Sequence, residues 1–265
     1  EMWSRLGITL LLIFVLPFEP ATLVALGILI SFFFGMLPTE SKNFKFDKTA
    51  RLTSENTKMV STFIILTACY EGTQIIINNS DILMVKHYFD ATQAGLYASL
   101  ALIGRVVYFV AWMFVMILLP TVVQRKKDGL ATAPVLFKYV IIISLLSATI
   151  VSACWLFPEL IVSLMFGEQY LAISGLLWKY AMATSIFAIS NIFAYYYLSL
   201  DHYVPVIISG ILGVSQIGLI VFYHESLEQV VIVQIIAMAV LLIFQLTYFV
   251  YKNNKSKKEN YSSLN

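Results

Sequence analysis

The chain has 265 residues, of which 60% are apolar and only 12% charged, and its formal net charge is +2. A soluble fold of this length has no use for so much apolar surface, so the bilayer is the solvent and spanning helices that satisfy their own backbone groups are the expected elements. The small net charge leaves no footprint for nucleic acid, and the apolar runs lack the strict alternation of an outer-membrane barrel.

Eight apolar blocks follow one another, at roughly 3–18, 20–37, 60–80, 94–123, 135–157, 171–199, 204–223 and 230–251. The expected fold class is therefore all-α, a polytopic membrane protein with about eight transmembrane helices. The first block is short for a span, and the fourth and sixth are long enough to tilt. Pro17, Pro20, Pro38, Pro120, Pro158 and Pro205 fall at or near block ends, where a helix tolerates them. Blocks one and two form a pair, 1–37, joined by an outer turn at Pro17–Pro20. A basic linker over 38–59 is the longest polar stretch and marks a lobe boundary. Six helices then occupy 60–251, and 252–265 is a polar tail expected to be disordered.

Loop charge orients the helices. Lys42, Lys45, Lys48, Arg51 and Lys58 lie in the linker, Arg125, Lys126 and Lys127 in the gap 124–134, and Lys252, Lys255, Lys257 and Lys258 in the tail. The alternate gaps hold only Lys86, a bias of twelve to one. By the positive-inside rule, both termini, the linker and the 124–134 gap are cytoplasmic. The chain starts at Glu1 without a basic leader and cleavage site, so the first block is expected to be a helix of a larger protein rather than a signal peptide. Cys69 and Cys154 both lie in apolar blocks, which argues against a disulfide framework. His87, His202 and His224 are scattered without metal-ligand spacing, so no metal or cofactor is expected.

The third block carries the most telling chemistry. Thr67, Glu71, Gln74, Asn78 and Asp81 step by four, three, four and three, which places them on one helix face. Such a stripe must face other helices or a water-filled cavity; interhelical hydrogen bonding is the plain alternative to a transport path. In the fourth block Tyr97, Arg105, Tyr108 and Trp112 share a face. Counting from the block ends puts Glu71 and Arg105 about 15 Å below the outer surface at 1.5 Å per residue, which predicts an ion pair between them. The sixth block presents Tyr180, Thr184, Asn191 and Tyr195 on one face, with Lys179 nearer the outer surface, where it is expected to snorkel.

Several segments resemble the second lobe of Wzx-type polysaccharide flippases. The stretch Asn79–Phe89 opens with Asp81 and continues through Val85 and Phe89. It is followed by Gly95-Leu96-Tyr97, Gly104-Arg105 and a helix reaching Leu119-Pro120. Phe157-Pro158-Glu159-Leu160 through Gly167-Glu168-Gln169-Tyr170 is similar to the family's next outer loop. The resemblance spans roughly 60–251. It implies membership of the multidrug/oligosaccharidyl-lipid/polysaccharide exporter superfamily, whose fold is two six-helix lobes around a central cavity. Blocks one and two would be helices five and six, and the rest helices seven to twelve.

The implied task is flipping a polyprenyl-diphosphate-linked oligosaccharide across the cytoplasmic membrane of a prokaryote, without covalent chemistry, so no enzyme is expected. Arg105, Tyr97, Tyr108, Trp112 and Asn191 are the expected contacts to an anionic, sugar-bearing headgroup. Glu71 and Asp81 are the expected groups for a coupling proton or sodium ion. Expected partners are the lipid-linked glycan, membrane lipids, and a glycan polymerase or glycosyltransferases. A multidrug exporter or a peptidoglycan-precursor flippase of the same superfamily are alternatives. From another class, so is a membrane glycan ligase or acyltransferase using His87, Asp90 or Glu168.

Overall fold

A computed structural model describes residues 2–35 and 53–262. Every regular element in those residues is helical: α1 Met2–Val15, α2 Pro20–Gly35, α3 Ser54–Tyr88, α4 Ala91–Lys127, α5 Ala133–Leu156, α6 Pro158–Phe166, α7 Ser174–Ser199, α8 Val204–Phe222 and α9 Leu227–Ser262, with a 3-10 helix, Glu168–Ile173, leading into α7. Six of the helical segments are long and apolar enough to cross a membrane, corresponding to α3, α4, α5, α7, α8 and α9. α1 and α2 are shorter apolar helices, and α6 has nine residues. The protein is thus membrane-embedded and multi-pass, and six crossings are assigned on length and composition.

The chain divides into two compact units, Glu1–Asn56 and Thr57–Asn265. In the first, α1 and α2 pack as an antiparallel pair. Arg5 Nε donates to Ser31 Oγ at 3.4 Å, and the Arg5 guanidinium lies 5.6 Å from the centre of the Phe32 ring. One turn along, Gly27 lets α2 approach Thr9 so closely that a Cβ at 27 would sit 2.3 Å from its hydroxyl oxygen.

In the second unit α7 is the hub, packed against α4, α5 and α9, with α8 lying on α9 and α7. Its last turns, Asn191 to Ser199, are buried without a break, unusual for a helix of mixed polarity and explained by its central position. Three buried clusters stack along the bundle. Phe193, Tyr197, Leu118 and Leu136 belong to the one at the basic end, Ile77, Phe187 and Leu241 to the middle, and Tyr97, Leu100, Leu177 and Val230 to the other end. The outward faces are apolar too: Phe222 is 80% and Leu164 84% exposed, which suits hydrocarbon and not water.

Four expectations about element ends change. The gap between the third and fourth apolar blocks is almost wholly helical, because α3 continues to Tyr88 and α4 starts at Ala91. Asp90 caps α4 by accepting from the Gln93 amide at 2.8 Å, so only Phe89 and Asp90 link the two helices. Pro120 lies inside α4 rather than at its end. α9 runs on to Ser262, well into the segment expected as a disordered tail. α3 likewise takes in the last residues of the expected linker, and 36–52 lie outside the described residues.

Candidate functional site

The polar stripe of α3 meets the polar stripe of α7. The two helices run antiparallel, so the rungs pair a rising number on one with a falling number on the other. Tyr195 donates to Glu71 Oε1 at 2.5 Å. Asn191 Nδ2 donates to Gln74 Oε1 at 2.7 Å, while its own Oδ1 accepts from Tyr70 at 2.6 Å. Tyr180 donates to Asp81 Oδ2 at 2.8 Å. Backbone packing is closest around α7 and α4, and long polar side chains reach out to hold α3. In hydrocarbon each rung has a reason to form, since an unpaired polar group there costs several kcal/mol.

Asp81 is the most enclosed charge of the ladder. It is 0% exposed, and its Oδ2 also accepts from Tyr97 at 3.0 Å. Gln234 of α9 lies behind Tyr97, 3.4 Å from its hydroxyl. Asp81 Oδ1 is buried with no hydrogen-bond partner among the described residues. The two tyrosine rings meet edge to face, 5.7 Å between centres. Gly104 makes this possible: Tyr180 lies directly against the α4 backbone, and a Cβ at 104 would fall 2.3 Å from its ring. Beside this cluster a cavity of about 20 Å³, room for one water, is bounded by Asn78, Thr184, Gln216 and Gln234. Gln216 is fully buried, and neither of its amide atoms has a partner among the described residues.

Arg105 does not meet Glu71. Its guanidinium donates to Asn79 Oδ1 at 2.8 Å, and among the described residues the Glu71 carboxylate accepts its hydrogen bond from the Tyr195 hydroxyl. The expected pair fails because the depth count took Asp81 as the outer end of the helix. α3 actually continues seven residues further, so Asp81 is interior and Glu71 sits at the midpoint of a 35-residue helix. Among the described residues no acid lies within ion-pair distance of Arg105. Lys179, expected to snorkel, forms a salt bridge with Glu228 at the start of α9.

Six of the seven expected site residues therefore separate into two sets. Asp81, Tyr97 and Asn191 are buried inside the ladder and already bonded to protein groups. Arg105, Tyr108 and Trp112 are partly exposed on α4, with Tyr108 stacked on Phe187 at 5.9 Å and Trp112 36% exposed. Glu71 is intermediate, reached by Tyr195. Tyr70, Asn79 and Gln234 bond to residues of these sets, and Gln216 lines the adjoining cavity; the sequence does not single out these four as site residues. Gln216 was detectable as the lone amide of the strongly apolar α8, whereas Gln234 shares α9 with Gln229 and Gln245, and Tyr70 and Asn79 look like ordinary interface residues until their partners are known. Asp90, a candidate for ligase chemistry, is occupied as a helix cap.

A family model described as "Polysaccharide biosynthesis protein" matches residues 8–175. The match includes Glu71, Asp81, Tyr97 and Arg105 and ends at the start of α7. No curated protein and no solved structure matches the chain. The matched segment covers more than half of the 265 residues, and the chain belongs to this family of polysaccharide biosynthesis proteins.

Proposed function

We propose that the protein is a Wzx-type flippase, which carries a polyprenyl-diphosphate-linked oligosaccharide from the cytoplasmic to the outer leaflet of a prokaryotic cytoplasmic membrane by alternating access. Family membership supports the polysaccharide context. The observation that carries the reading further is Arg105, a cation on an apolar spanning helix whose hydrogen-bond partner among the described residues is the neutral amide of Asn79. A cation kept at that depth without an acid is costly unless it serves an anion, and a diphosphate is the anion such a cargo presents. Tyr108 and Trp112, on the same accessible face of α4, offer aromatic surface to sugar rings. Tyr97 and Asn191 act one step back, the first by holding Asp81 and the second by bridging Gln74 and Tyr70.

In this scheme Asp81 and Glu71 take the coupling proton or sodium ion. Each is held by tyrosine hydroxyls, and such bonds can be exchanged for a bound ion without moving the backbone far. No bond is made or broken in the cargo, so the protein is a transporter and not an enzyme. α1 and α2 form two further crossings, for eight in all, and the basic ends of the helices face the cytoplasm. The glycan polymerase and glycosyltransferases that use the same lipid carrier are its functional neighbours.

The test is surface-glycan export in cells carrying Arg105 variants. Arg105→Ala should abolish most export at unchanged protein abundance, and Arg105→Lys should restore part of it, keeping the charge but losing the bidentate fork. Normal export by Arg105→Ala would remove the cargo assignment.

A further inference from the structure

At the basic end of the second unit a pocket of about 300 Å³ opens between the start of α5, the end of α7 and α9. Tyr196, Tyr197 and Phe249 form its apolar wall, and Thr132, His202 and Lys252 bring polar groups to it. Thr132 and Tyr196 are already oriented by a 2.9 Å hydrogen bond between their hydroxyls. The spanning segments begin at Ala133 and end at Ser199 and Asn254, so the pocket lies where hydrocarbon gives way to headgroups.

Charge distinguishes this pocket from its neighbour. The adjoining pocket contains Lys126, but that ammonium is bound to Asp201 at 2.9 Å and to the Leu200 carbonyl at 3.3 Å. Lys252 has no acid within ion-pair distance among the described residues. Alongside, α5 presents Phe137, Ile141 and Leu145 at four-residue steps, and α9 presents Leu246 and Val250, all exposed. A basic, hydroxyl-lined cup bordered by two apolar strips has the form of a phospholipid site.

We propose that this pocket binds the headgroup phosphate of an anionic phospholipid, with the acyl chains lying along the exposed faces of α5 and α9. Lys252 supplies the charge, and the Thr132 and Tyr196 hydroxyls and the His202 ring supply hydrogen bonds. A free phosphate shares the headgroup's chemistry, but it has no use for the apolar strips, and they are the reason for choosing the lipid. The inference is independent of what the protein transports.

Native mass spectrometry of the purified chain, titrated with phosphatidylglycerol, phosphatidylcholine or inorganic phosphate, tests it. Phosphatidylglycerol should be retained in preference to the other two. Lys252→Gln should weaken its binding about fivefold, the effect of about 1 kcal/mol for one basic residue near a membrane surface. Lys252→Arg and Lys126→Gln should leave it unchanged. Photo-crosslinking of a diazirine-bearing phosphatidylglycerol to the unmutated protein, which needs no folded variant, should mark α5 and α9 peptides. Equal retention of phosphatidylcholine, equal retention of inorganic phosphate, an equal loss in Lys126→Gln, or crosslinks confined to other helices would each overturn the proposal.

Discussion

Gly104→Ala is the sharpest probe of the polar ladder. A Cβ there would lie 2.3 Å and 2.7 Å from two carbons of the Tyr180 ring and 2.8 Å from the Thr184 hydroxyl, where ordinary contact begins near 3.4 Å. The ring must therefore retreat by about 1.1 Å, the difference between 3.4 and 2.3 Å. Tyr180 donates to Asp81 at 2.8 Å, so the same displacement, directed away, stretches the bond to about 3.9 Å and breaks it. Overpacking costs about 1–3 kcal/mol, and a lost interhelical hydrogen bond in a membrane adds about 0.6–1.7. The expected destabilisation is about 2–5 kcal/mol, read as a lower melting temperature in detergent or a lower midpoint in denaturant. Gly95→Ala, on the same helix with nothing within 4 Å of its Cβ, is the control. It should be neutral or stabilise by up to about 1 kcal/mol through helix propensity. Adding Tyr180→Leu to Gly104→Ala should recover the strain but not the hydrogen bond, which makes the coupling measurable in a double-mutant cycle. If Gly104→Ala is as benign as Gly95→Ala, Tyr180 does not pack as described and the Asp81 cluster must be redrawn.

Asn191→Ala leaves the Tyr70 hydroxyl and Gln74 amide without their mutual partner and should cost about 1–2 kcal/mol of thermal stability, whereas Asn191→Gln should not restore it, because both rungs are already at 2.6–2.7 Å. Tyr195→Phe should reduce export while sparing abundance, since it removes a donor from Glu71 but almost no volume. In the 200–203 turn, burial first, then Lys252 and Lys126, hold His202 below the usual histidine range despite the opposing pull of Asp201. A depressed folded value means that the unfolded chain takes up the proton first, so stability present above about pH 6.5 falls as pH drops toward the folded value; His202→Gln should flatten that part of a pH–melting profile. For topology, single cysteines placed at 127 and 168, with Cys69 and Cys154 replaced, should label from outside only at 168.

The helical class was legible because apolar runs of span length have almost no other solution. Spacing also located the ladder: Glu71, Gln74 and Asp81 on one helix and Tyr180, Asn191 and Tyr195 on another each share a face, and those faces are joined in the structure. Which groups pair across helices was not legible. The Glu71–Arg105 pairing was inferred from depth, and depth depends on helix ends. Polar residues at Asn79 and Asp81 look like the end of a span, yet α3 carries them into the bundle, where Arg105 donates to Asn79 and Tyr97 and Tyr180 donate to Asp81. Hydropathy sees composition and cannot see such partners. Pro120 misled in the same way, since a proline inside a spanning helix is tolerated where neighbouring groups satisfy the freed backbone. Gly104 was noticed only as part of a resemblance, and its physical reason, the approach of Tyr180, needed coordinates.

Transbilayer movement of a fluorescent polyprenyl-diphosphate-linked oligosaccharide in proteoliposomes is the most direct measurement. The protein should accelerate the appearance of the glycan in the opposite leaflet relative to protein-free vesicles. Arg105→Ala should reduce that rate to the protein-free level, while the thermal stability of the variant stays near the parent's. An unaltered rate in Arg105→Ala, or no acceleration by the unmutated protein, would contradict the proposed function.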